Sequence, residues 1–296
     1  TLAGMYTFEA RAGDAYVTCD MSLDKTLSPV RDSVFEVQLS HNLTGLKGSP
    51  FEQSRADLNI LPGRQSVEAQ GVVSDDDRFV IGGYAKWDRI YPERFRTHHR
   101  RRDISRALDI EPEKLWVCFF PTGPNRYFRG NAAKAWTIHH RLHSELPGGH
   151  HLFFLDHAHN DHEDDTRDAV AGLRDLAATD RALTFVDGAQ ALEFITACDL
   201  YITDIASALL TALSMDKPVL FIGIDVKRGW RQAVEHFQCG PRLEEVGRVG
   251  DYVEGYTPSG KLRSLFHRCV EFDDDQNCRR IADLILSGYA RWLNSR

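Results

Sequence analysis

The chain has 296 residues, 42% hydrophobic and 27% charged, a balance that excludes a disordered polymer and leaves room for two sizeable cores. Its formal charge of -7 argues against general binding to nucleic acid, which needs an excess of Lys and Arg to neutralise phosphates. No segment approaches ~20 apolar residues, no basic-then-apolar leader opens the sequence, and the six cysteines are scattered rather than set in C-x-x-C pairs. These features are read as a cytoplasmic protein with reduced thiols that does not cross a membrane.

The first third reads as short strands separated by loops: DAYVTCD (Asp14 to Asp20), VFEVQLS (Val34 to Ser40), ADLNILP (Ala56 to Pro62) and RFVIGGY (Arg78 to Tyr84). Each is an apolar run of strand length bounded by Gly, Pro, Asp or Ser, the pattern of buried parallel strands. After Asp88 the texture becomes polar and basic, including RFRTHHRRR from Arg94 to Arg102. This stretch reads as a linker with one amphipathic helix, and the domain boundary is placed near residue 95, giving domains 1–95 and 96–296.

From Leu115 onward strands and helices alternate. The strands are LWVCFFP, HLFFL, ALTFV, LYITD and PVLFIGI; the helices between them run from about Ala132 to Leu146 and through RDAVAGLRDLA, AQALEFITAC and SALLTALSM. Alternation at this spacing means βαβ units and a parallel sheet covered on both faces. Ligands of such sheets bind just past the carboxyl ends of the strands, so those positions are the ones to inspect.

One such position carries a metal-like pattern. His157, His159, Asp161 and His162 follow HLFFL in the spacing H-x-H-x-D-H, which resembles the ligand run of metallo-β-lactamase-like hydrolases. That chemistry also needs a Gly-Gly turn and later ligands. Glu163, Asp164 and Asp165 follow instead, and the later histidines, His236 and His267, lie outside Gly-rich loops. The two-metal hydrolase is therefore the least favoured reading, and no metal ligands are assigned.

The segment CDLYITDIASALLTALSMDKPVLFI is the most informative. A buried strand ends in Thr203 and Asp204, and Ser207 opens an apolar helix whose N-H groups and dipole suit a phosphate. An Asp or Ser helix cap without any ligand is the plain alternative. The segment resembles the I-T-D-x-x-S signature of the CDP-glycerol glycerophosphotransferase family, and other matches follow in order. QLSHNLTGLKG, with His41 and Lys47, resembles its H-G-T-P-L-K; GGYAKWDRI, with Asp88, its G-x-P-R-x-D; LWVCFFPTG, with Pro121 and Thr122, its strand ending in A-P-T. LFFLDH places His157 at a functional strand end, and IDVKRGW aligns Asp225, Arg228 and Gly229 with a further family stretch. Asn42, Gly45 and Ala85 depart from the pattern.

The resemblance implies an α/β protein of two Rossmann-like domains with parallel sheets, the GT-B arrangement, with the N-terminal domain shortened. The domains would face each other across a cleft, the linker would be a hinge, and CRRIADLILSGYARWL would be a helix crossing back onto the first domain. It implies transfer of glycerol phosphate, or a related alditol phosphate, from a CDP-linked donor to an anionic or lipid-linked cell-surface polymer precursor, with no cofactor required. His41 is the candidate base, since a His near pKa ~6.5 can take a proton from a hydroxyl. His157 joins it as catalytic. Thr122, Thr203, Asp204, Ser207 and Arg228 are assigned to the donor and its phosphates, Lys47 and Asp88 to the acceptor side. Residues 94–102 are either a solvated linker face or a basic patch touching the inner membrane surface. A GT-B glycosyltransferase or 2-epimerase acting on a nucleotide sugar, and a non-catalytic nucleotide sensor, are the alternatives.

Overall fold

The computed structural model describes residues 15–19, 33–40, 56–69, 76–124, 130–157, 160, 164–224 and 237–296. Among these, the strands are β1 (Ala15–Cys19), β2 (Phe35–Leu39), β3 (Leu58–Leu61), β4 (Phe79–Ile81), β5 (Leu115–Phe120), β6 (His150–Asp156), β7 (Leu183–Asp187), β8 (Leu200–Thr203) and β9 (Val219–Phe221). The helices are α1 (Arg64–Ala69), α2 (Trp87–Glu93), α3 (Thr97–Leu108), α4 (Lys134–Glu145), α5 (Asp164–Ala177), α6 (Ala191–Ala197), α7 (Ala208–Ser214), α8 (Val249–Glu254), α9 (Gly260–Cys269) and α10 (Asn277–Asn294). Every strand coincides with an apolar run picked out in the sequence. The chain divides into two compact units: residues up to Arg89 together with Arg268–Arg296, and Ile90–His267.

In the first unit β1, β2, β3 and β4 pair in that order, all parallel. Burial is one-sided in sequence terms but satisfied from the far end of the chain. On α10, Ile281, Leu284, Ile285, Tyr289 and Trp292 recur at helical spacing and pack on Phe35, Val37, Leu58 and Ile60 of the sheet. The Phe35 ring lies 5.7 Å from that of Tyr289 and 6.0 Å from that of Trp292. The last helix is thus one layer of the first unit.

The second unit has five parallel strands in the order β7-β6-β5-β8-β9. Along β5, β6 and β8 side chains alternate between two faces. Val117, Phe119, Leu152, Phe154, Leu200 and Ile202 join α4, α5 and α8 in one core. The intervening residues include Trp116, Phe153 and Tyr201, all fully buried, with Phe194 of α6 packed 5.0 Å from Phe153. Burial of each such side chain contributes about 1.5–3 kcal/mol.

The stretch after Asp88 differs from expectation. It forms two helices, α2 and α3, and Arg100 and Arg101 are built into the second unit rather than into a linker. Arg101 donates to the carbonyls of Pro112, Lys114 and Ala197 and pairs with Asp199 at 2.6 Å, its guanidinium lying 4.5 Å from the Trp116 ring. Arg96 and Arg100 both pair with Glu93, which is 5% exposed. The Arg100 guanidinium holds the Glu93 carboxyl below the usual carboxylate range. The pattern was hard to read because Ile104 is the sole buried residue of α3, so the helix has almost no apolar stripe.

Candidate functional site

The strand order of the second unit locates its site. Starting from β5, the chain moves outward through β6 and β7 on one side, then returns to build β8 and β9 on the other. Such a reversal leaves a crevice beyond the carboxyl ends of the two central strands, here β5 and β8, because their connections leave in opposite directions. Those ends are Pro121-Thr122 and Thr203-Asp204, two of the segments singled out in the sequence.

A single carboxylate ties the crevice together. Asp204 is fully buried and accepts from the Thr122 N-H at 2.9 and 3.0 Å, from the Asn131 side-chain amide at 3.0 Å, and from the N-H of Ile205. It therefore links the loop after β5, the start of α4 and the turn after β8. Thr203 adds a second tie, its hydroxyl donating to the Phe120 carbonyl at 2.9 Å. A buried charge unsupported in this way would cost several kcal/mol; here the N-H donors replace water. The Asp204 side chain thus orients the turn.

His157 comes from the end of β6 and leans over the same loop. Its ring lies 6.0 Å from that of Phe120, and a methyl group placed on Gly123 would stand 2.3 Å from its Nδ1. Only a glycine at 123 lets the imidazole lie against the backbone. Behind it, Asn160 donates its N-H to the His157 carbonyl at 2.8 Å and its side-chain amide to Asp156 at 2.7 Å. Within the H-x-H-x-D-H neighbourhood, the buried residue that fixes the loop is this asparagine, 1% exposed. Ser207 stands just before α7, with the helical turn already begun: Leu209 and Leu210 donate to the carbonyls of Ala206 and Ser207. Gln238 bridges the carbonyls of Ile222 and Asp204 at 2.8 and 3.5 Å.

Thr122, His157, Thr203, Asp204 and Ser207 therefore belong to one end of one sheet. His41, Lys47 and Arg228 lie outside the described residues, as do Asp225, Gly229, His159, Asp161 and His162. Among the described residues no group of three metal-capable side chains occurs. Asp88 is in the first unit, where its two oxygens accept from the N-H groups of Asn277 and Cys278 at 2.7 and 2.8 Å. It caps α10. Burial pushes its carboxyl up, but the bonds from Cys278 and Asn277 outweigh that and hold it below the usual range. Beside it, Gly83 has φ +90°, and the amide oxygen of Asn277 accepts the N-H of Tyr84. Sequence reasoning missed Asn131, Gly123, Asn160 and Gln238; the Gly-Asn pair ahead of α4 was the one local signal.

Two all-parallel sheets, one with polar strand ends gathered at a strand-order reversal, fit the GT-B fold. Solved structures agree in fold. The wall teichoic acid polymerase TagF matches with TM-score 0.55 and 18% identity over 83% of this chain, which spans 61% of the TagF chain. TagF soaked with CDPG matches with TM-score 0.58 at 16% identity, over 94% of this chain and 72% of that one. A UDP-GlcNAc 2-epimerase from Neisseria meningitidis bound to UDP-GlcNAc matches with TM-score 0.57 at 13% identity, over 92% and 76%. Among curated proteins no relative matches. The family model for CDP-glycerol:poly(glycerophosphate) glycerophosphotransferase matches residues 53–287. The chain belongs to that family.

Proposed function

We propose that this chain moves glycerol phosphate, or a related alditol phosphate, from a CDP-linked donor onto a cell-surface polymer precursor. The observation that carries the reading is the coincidence of the family match over residues 53–287 with the Asp204-tied crevice inside it. TagF, soaked with CDPG, shares the fold. An epimerase shares it equally well, so the fold alone does not choose between donors.

In this reading the donor lies across the ends of β5 and β8. Thr122, Thr203 and Asp204 shape its seat, and Ser207 and Arg228 meet its phosphates. His157 stands over the seat, and its imidazole donates to phosphate oxygens as negative charge gathers on them. His41 takes the acceptor proton. Lys47 steers an anionic acceptor. Asp88 serves the acceptor side by holding α10 on its sheet. The protein acts in the cytoplasm; among the described residues no helix is long and apolar enough to cross a membrane. Contact with the inner membrane surface through residues 94–102 rests on Arg102, on Arg96, whose side chain is 55% exposed, and on Phe95, which is 73% exposed, because Arg100 and Arg101 are spent internally.

The test is a thermal-shift and turnover series with CDP-glycerol, CDP-ribitol, CMP and UDP-GlcNAc. Stabilisation by the cytidine compounds, with CMP released when a polyol-phosphate acceptor is added, is expected. Stabilisation by UDP-GlcNAc alone moves the chain to the nucleotide-sugar enzymes.

A further inference from the structure

The first turn of α4 is built against the interest of the isolated helix. A helix N-terminus carries partial positive charge and is ordinarily capped by Ser, Thr, Asp or Asn and followed by acids. Here Ala133 stands at the cap position with no side-chain hydrogen bond, the first turn has no acidic residue, and Lys134 adds an ammonium to the positive pole. Lys134 is exposed and makes no side-chain ion pair or hydrogen bond among the described residues. It reaches over the end of β9, where a methyl group on Gly223 would stand 4.0 Å from its Nζ.

A second, independent feature lies at the end of β5, on the same sheet. Thr122 is fully buried, and its hydroxyl has no hydrogen-bond partner. A buried hydroxyl left alone is costly and ordinarily finds a partner or a ligand. One oxygen of Asp204 accepts from both the Thr122 N-H and the Asn131 amide, at 3.0 Å each, so the threonine is held against the start of α4. Asp204, the nearest buried carboxylate, spends both its oxygens on N-H donors. An unpaired ammonium past β9, a helix N-terminus and a lone buried hydroxyl past β5, all at the carboxyl end of one sheet, call for the same thing, a phosphate.

We propose that Lys134, the first turn of α4 and the Thr122 hydroxyl hold the phosphate that stays with the nucleotide when the donor is cleaved. This rests on the transferase reading above. In the transfer a new bond forms between the acceptor oxygen and the outer phosphorus, while the bond from that phosphorus to the bridging oxygen breaks. The electron pair leaves with the nucleoside monophosphate, and the acceptor proton goes to the base. Lys134 meets the charge that appears on the departing phosphate, so it favours cleavage as well as binding.

The test uses the whole chain, with K134M, K134R and K134E, titrated by calorimetry with CMP, CDP-glycerol, UDP, UDP-GlcNAc and cytidine. K134M weakens binding of the phosphorylated cytidine ligands 10- to 100-fold, leaves cytidine unchanged and flattens the salt dependence; K134R restores most of the loss. K134E abolishes phosphate binding while raising the thermal midpoint of the ligand-free protein, since an acid suits the helix pole. T122V, which keeps the shape and removes the hydroxyl, weakens CMP binding with the fold intact by circular dichroism. Wild-type affinity for CMP in K134M, or a lower ligand-free midpoint in K134E, overturns the assignment while leaving the transferase reading in place. If the wild type binds only UDP and UDP-GlcNAc and K134M weakens both, the phosphate seat stands and the glycerophosphate reading falls. Failure of every nucleotide to bind the wild type sinks both.

Discussion

Asp88 and Asp204 are the same device put to different ends. Both occupy motif positions, and both turn their oxygens onto backbone N-H groups instead of outward. Asp88 caps a single helix, and the Asn277 side chain beside it is bonded on both its oxygen and its nitrogen. Asp204 ties three segments together at the carboxyl ends of β5 and β8, beside a hydroxyl with no partner. A motif carboxylate is therefore no guide to ligand contact by itself. What separates a structural joint from a candidate site is the polar capacity left over around it.

The contrast can be broken by mutation, with the largest effect at Asp204. Asp204→Ala strands the Thr122, Ile205 and Asn131 donors in a dry interior and is expected to cost about 3–5 kcal/mol. Asp204→Asn also presents an N-H to donors and is expected to rescue little. Guanidinium denaturation measures both. If D204N is as stable as the wild type, the carboxylate is not the tie described.

Acid separates the two units next. His151 is 2% exposed, its Nε2 lies 2.8 Å from the Thr184 hydroxyl, and burial, with the Lys114 charge and His150 adding to it, pushes its imidazole down to about 4. A base with a depressed native pKa takes up its proton first in the unfolded chain. Stability is then complete above pH ~6.5 and falls as the pH drops toward 4, by up to about 3 kcal/mol. Asp88 runs the other way in charge, its native pKa lying below the ordinary carboxylate value, so its contribution persists until the pH falls below about 4. The second unit should therefore loosen first on acidification. Denaturant midpoints between pH 7 and 4 should slope in the wild type and flatten in H151Q.

Smaller effects sharpen the same point. Arg101→Ala removes four hydrogen bonds and the stacking on Trp116 and is expected to cost about 2–3 kcal/mol without changing donor affinity. Asp88→Ala loses a helix cap worth about 1 kcal/mol and leaves nucleotide binding unchanged. A D88A protein that lost CMP affinity would return Asp88 to the site.

The fold was legible because buried parallel strands are short apolar runs, and all nine stood out between polar loops. α2 and α3 were only partly so: one helix was expected there, α3 is held by guanidinium pairs more than by an apolar stripe, and α2 buries one apolar residue, Trp87. At the site, the strand-end residues Thr122, Thr203 and Asp204 were readable by position. Asn131, Asn160 and Gly123 were not, since each matters through a partner distant in sequence or through a side chain it does not have. Asp88 shows the limit most clearly: its partner Asn277 is 189 positions away, and no local pattern announces such a bond.

That long reach bears on how the protein is made. Ile90–His267 is one continuous stretch and can complete its sheet as soon as it leaves the ribosome. The β1–β4 sheet cannot, because α10, the layer that covers Phe35 and Leu58, is translated only after the whole of the second unit. A sheet made before Ile90–His267 is therefore completed only after it, and that sheet is the part most in need of a chaperone.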